Sequence, residues 1–84
     1  MRGDFVIVRA LGNIPLIRRL WAEGDYCVYI TNNEQFQLLN EGKGGIEPVG
    51  FPREDVFKYD PKLAPSMAKL HKNGKWDWNK LVSF

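Results

Sequence analysis

The sequence predicts a mainly β protein, a small barrel of about five strands with a short C-terminal helix and tail. Three observations predict it. Short runs rich in β-branched and aromatic residues recur through residues 1–60. Glycine and proline punctuate the gaps between those runs. After Asp60 the pattern changes to helical spacing and then to a lysine-rich ending that carries tryptophan. A chain of 84 residues is one domain by default. With 44% hydrophobic residues it has enough apolar material for a single core, as so small a domain requires.

The elements follow in order. Residues 5–11 form an unbroken β-branched and apolar run between Gly3 and Gly12, which reads as a strand. Gly12-Asn13-Ile14-Pro15 is a turn signal. Residues 16–23 place Leu16, Leu20 and Trp21 on one helical stripe, yet Pro15 and Gly24 confine them to the length of a strand. Tyr26–Thr31 is the clearest strand, and Glu23-Gly24-Asp25 before it suits a hairpin loop. In residues 34–39, Phe36 and Leu38 alternate with Gln35 and Gln37, which reads as a further strand; a short helix capped by Asn33 is the alternative. Gly42–Gly45 reads as a flexible loop, and residues 46–49, broken by Pro48, as an edge. Pro52 is placed to open a 3₁₀ turn, with Val56-Phe57 starting a last short strand.

Beyond Asp60, Leu63, Met67 and Leu70 have helical spacing, Pro65 suits a first helical turn and Asn73-Gly74 a stop. Residues 76–84 read either as a closing strand or as a second short helix capped by Asp77. The expected division is therefore a barrel over residues 1–60 and an extension over 61–84 that packs on it, within one domain. Such a cover would protect sheet edges that otherwise invite pairing with other chains.

Gly50-Phe51-Pro52-Arg53-Glu54-Asp55-Val56 resembles the end of an SH3 domain, where a glycine leads through Phe-Pro and a 3₁₀ turn into the last strand. Gly3-Asp4-Phe5-Val6-Ile7-Val8 is similar to the first strand of many SH3-like barrels. The resemblance spans residues 3–59 and implies a small SH3-like barrel of bacterial type. It does not imply proline-peptide recognition. The Ala-Leu-Tyr-Asp-Tyr strand and paired tryptophans of signalling SH3 domains are missing, and Asp55 stands where a groove tyrosine is expected.

Charge is unevenly distributed. The net charge of +2 splits into −2 over residues 1–60 and +4 over residues 61–84, so only the ending has an electropositive footprint. A single cysteine, Cys27, forbids an internal disulfide. No apolar run approaches the ~20 residues that cross a bilayer, and Met-Arg-Gly-Asp lacks the apolar core of a signal peptide. These features predict a cytoplasmic protein with no membrane association.

The candidate chemistry is sparse. Cys27 lies mid-strand and reads as a packed thiol. His71, the one histidine, falls near the end of the predicted helix, where it suits the dipole; one His and one Cys do not make a zinc site. Gly42-Lys43-Gly44-Gly45 lacks the Ser or Thr of a phosphate loop. Arg2-Gly3-Asp4 reads as a chance match to an adhesion tripeptide. Arg18 and Arg19 are adjacent on a strand and point to opposite faces, one solvated and the other paired with Glu23 or another carboxylate. Glu54, Asp55 and Asp60 do not define a catalytic pair.

The constellation of interest is Trp76, Trp78 and Phe84 with Lys69, Lys72, Lys75 and Lys80, to which Trp21 is added as an isolated barrel tryptophan. Its first reading is as anchors that pin the tail to the barrel, its second as a protein-docking surface, its third as a stacking surface for nucleic acid. The expected function is a non-catalytic module that binds another protein, without metal or cofactor. Single-stranded nucleic-acid or RNA binding through the basic aromatic ending is the alternative.

Overall fold

The computed structural model describes residues 1–45, 47–62 and 77–84. The strands are β1 (Phe5–Ala10), β2 (Ile14–Glu23), β3 (Cys27–Thr31), β4 (Val49–Pro52) and β5 (Val56–Lys58), with one α-helix, α1 (Asn33–Asn40). Short 3₁₀ turns occupy Arg53–Asp55 and Trp78–Lys80. The strands form one antiparallel sheet in the order β4-β3-β2-β1-β5. The expected helix over Leu63, Met67 and Leu70, with His71, lies outside the described residues, as does Ile46 at the start of the expected edge.

The β1–β2 hairpin turns through Gly12 and Asn13, both at positive φ (78° and 59°), the conformation that glycine and asparagine tolerate best. Strand β2 then serves two partners. Residues Ile14–Arg19 pair with β1, and Arg19–Glu23 pair with β3. A bulge between Leu20 and Ala22 leaves Trp21 as the extra residue where the handover occurs, and a bulge bends and twists its strand.

Residues 34–39 are helical, which corrects the expected strand. Local chemistry explains the outcome. The Asn32 side chain accepts from the Gln35 amide at 2.7 Å, so the cap is Asn32 and Asn33 is the first helical residue. Glu, Gln and Leu are good helix formers, and no β-branched residue favours a strand here. Gly42 at φ 74° ends the helix, with its amide on Leu39 O and the Lys43 amide on Leu38 O. The first glycine of the expected flexible loop is thus a helix stop. The alternation of Phe36 and Leu38 was misleading, since Phe36 is buried and Leu38 exposed.

Strand β1 is buried on both faces, which accounts for its unbroken Val-Ile-Val run. Val6 and Val8 join Leu20, Val28, Ile30 and Val56 in an inner core, with Phe51 and Phe84 against it. Ile7 and Phe57 form a second cluster on the opposite face, covered by Tyr59, Trp78 and Leu81.

The expected closed barrel is not formed: β4 and β5 end the ladder and do not pair with each other. The sheet is nonetheless strongly curled. Held flat, five strands would set the outermost pair roughly 19 Å apart. The chain passes from Pro52 to Val56 through only three residues, a reach of at most roughly 14 Å even when extended. Phe51 of β4 and Val56 of β5 accordingly pack into one core.

Candidate binding cleft

The curl leaves an opening between two strands. Among the described residues the first half of β2 pairs only with β1, because β3 departs at Thr31 into the helix cap. Strand β4 pairs with β3 over Val49–Pro52, and among the described residues its other edge carries no partner. Between these strands lies a cleft of about 310 Å³. Val8, Ile30 and Phe51 of the inner core form its floor. Leu16 and Arg18 of β2 form one wall, Val49 of β4 the other, and Asn32 and Gln35 close the end beside α1. Thr31 also borders it; this residue is 2% exposed, and among the described residues its hydroxyl has no hydrogen-bond partner.

Arg18 is the singular side chain here. It stands opposite Val6 in the ladder and so belongs to the inner face of the sheet. Four of the five arginines tie distant parts of the chain together. Arg2 donates to Trp21 O at 2.8 Å, and Arg53 to Gly24 O at 3.0 Å. Arg9 pairs with Asp55 at 2.9 Å and donates to Glu54 O. Arg19 donates to Gly3 O and to Asn33 Oδ1, each at 2.6 Å, and lies over the Phe5 and Phe36 rings. Among the described residues Arg18 donates only to the carbonyl of its neighbour Ile17 at 2.9 Å, and no carboxylate pairs with it. The two adjacent arginines do face opposite sides, but Arg19 bonds a carbonyl and an amide, not the expected Glu23.

The residues expected to form the site are dispersed. Trp78 is half-buried, its ring 5.1 Å from Phe57 and beneath the Arg9 guanidinium at 5.3 Å. The Asp77 carboxylate accepts from the Asn79 amide at 2.9 Å, so the 3₁₀ turn carrying Trp78 has the expected cap. Lys80 is exposed. Trp21 packs edge-on against Phe36 with Arg2 over its ring at 4.4 Å, and shares none of these neighbours with Trp78. Lys69, Lys72, Lys75 and Trp76 lie outside the described residues.

Cys27 is half-buried at the start of β3 and is hydrogen-bonded to Tyr29, a contact that pushes the Tyr29 phenol above its ordinary pKa. The charge of a Cys27 thiolate and partial desolvation act in the same direction. Among the described residues no group of three His, Cys, Asp or Glu gathers as a metal site requires, and no helix is long and apolar enough to cross a membrane.

Sequence reasoning missed Leu16, Arg18, Asn32, Gln35 and Val49. One signal was present: Leu16-x-Arg18-x-Leu20 puts a cation between two apolar residues on one face of a strand. Compared with family models, curated proteins and solved structures, the chain matches none.

Proposed function

We propose that the protein is a cytoplasmic, non-catalytic module of the SH3-like barrel type that binds another protein, and that it docks through the cleft between β2 and β4. The SH3-like assignment is supported by the strand order, by the two-partner β2 and by the 3₁₀ turn that joins β4 to β5. The cytoplasmic assignment is supported by the single cysteine, which leaves the fold without an internal disulfide.

The docking reading is carried by Arg18. Arg18 stands half-buried beside an apolar floor with no carboxylate partner among the described residues, whereas every other arginine is used within the fold. Apolar lining with a few convergent polar groups is the usual make-up of a binding site. The tail supports this choice of surface, because Trp78 spends its ring on Phe57 and Arg9.

The test is affinity capture with the whole chain, comparing wild type, Val49→Asp, Arg18→Glu and Trp78→Ala after each is shown to be folded. Val49 is 56% exposed, so its substitution perturbs the cleft without emptying the core. Wild type and Trp78→Ala should recover the same protein, and both cleft variants should lose it. Full recovery by the cleft variants refutes the docking surface. Recovery abolished by nuclease would instead assign the module to nucleic acid.

A further inference from the structure

Resting on that reading, we infer that the cleft receives an extended segment of the partner as an added strand on β4, with an apolar side chain over Phe51 and a carboxylate two residues away on Arg18. The backbone provides the first reason. Among the described residues the outer edge of Val49–Pro52 is unpaired, and such an edge is a template for a further strand. Two depressions adjoin this edge, and Phe51 lines both: the 310 Å³ cleft and a second of about 480 Å³, whose far wall is the β1–β2 turn. Leu11 in that turn is 96% exposed, so an apolar side chain stands open at the far wall beside the polar Arg9, Asn13 and Asp55.

The side chains set the occupant. A strand presents every second residue to one face, so neighbouring inward positions are i and i+2. One such position meets the apolar floor of Phe51 and Val8, and the next reaches Arg18 on the opposite wall. Arg18 has no carboxylate partner among the described residues, and residues 63–76 contain no Asp or Glu. Charge complementarity therefore calls for an acidic group on the incoming segment. The guanidinium fork suits a carboxylate held by paired hydrogen bonds. The recognised pattern is apolar-x-acidic in an extended chain of a partner protein.

The test is an NMR titration of the whole, isotope-labelled chain with capped octapeptide pools of randomised flanks. One pool fixes Leu-x-Glu, a second Leu-x-Gln, a third Ala-x-Glu and a fourth Leu-x-Lys. The Leu-x-Glu pool should shift the amides of Val49, Gly50 and Phe51 and the Arg18 side-chain resonance. The second and third pools should bind about tenfold more weakly, the loss expected for one charge-assisted hydrogen bond or one seated apolar side chain. Arg18→Glu should reverse the preference and select Leu-x-Lys. Unmoved β4 amides at millimolar Leu-x-Glu pool, or equal binding of the Glu and Gln pools, overturns the inference. So does an Arg18→Glu chain that binds as wild type, which would leave Arg18 as a guard of the open edge. If these arms fail while Val49→Asp still abolishes capture of the partner, the docking site stands and added-strand recognition is wrong. If capture also survives, both readings fall.

Discussion

Beyond β5 the tail supplies a partner for the sheet, whereas beyond β4 none is present among the described residues. The Lys58 amide donates to Val82 O at 2.8 Å and the Phe84 amide to Val56 O at 3.0 Å, with Phe57 bridged to Ser83. Trp78 and Leu81 cover the outer cluster, while Phe84 reaches the inner core on the other side of β5. One edge is therefore sealed by aromatic and aliphatic side chains on both faces. The other opens on a cleft with a cation, Arg18, that no carboxylate pairs with among the described residues. Edges left open are a hazard unless guarded or used. The contrast teaches that Trp78, Leu81 and Phe84 serve the sheet, and the recognition chemistry we propose is at the opposite edge.

The largest effect is expected on the sealed side. Ile7 is fully buried against Phe57 beneath the tail. Ile7→Ala should cost about 3 kcal/mol in urea denaturation, the usual penalty for an emptied buried site. It should also raise hydrogen exchange at Lys58 and Phe84, because those amides belong to the covering ladder. Val8→Ala, at a residue equally buried in the inner core that Phe84 also packs against, should destabilise the fold without a selective loss at Lys58. Equal exchange patterns for the two variants would break the distinction between the edges.

Trp78→Ala should come next, at about 2 kcal/mol, from lost apolar contact and the ring pair with Phe57. The decisive readout is again the tail ladder. If the Lys58 and Phe84 amides keep their protection, the two hydrogen bonds hold the tail unaided and Trp78 is no anchor.

Much of this arrangement was legible in sequence where the signal is local. The β-branched run of β1, the aromatic run of β3 and Gly50-Phe51-Pro52 each carry their conformation in adjacent residues. Residues 34–39 carry a strand-like two-residue alternation, while the cap and the stop that make them helical lie just outside that run. The cleft was hidden for a different reason. The inward position of Arg18 depends on its register opposite Val6, and its openness depends on β3 leaving β2 after Arg19. Both facts are non-local. The tryptophans drew attention because they are large and scarce, but size is what suits Trp78 to sealing an edge.

The smallest effect on stability is expected at the open side, and a neighbouring residue provides the control. Arg18 and Arg19 share a strand, a charge and a side-chain length, yet only Arg19 binds across the fold. Arg19→Gln removes two charge-assisted hydrogen bonds and two ring contacts, and should cost about 2 kcal/mol. Arg18→Gln removes one bond to the adjacent carbonyl and should change stability by less than about 0.5 kcal/mol. The measurement is paired denaturation of the two variants at the same pH and salt. Comparable losses would mean that Arg18 is part of the scaffold. A stable Arg18→Gln chain that no longer captures its partner would show a charge kept for binding, since the fold itself gains nothing from it.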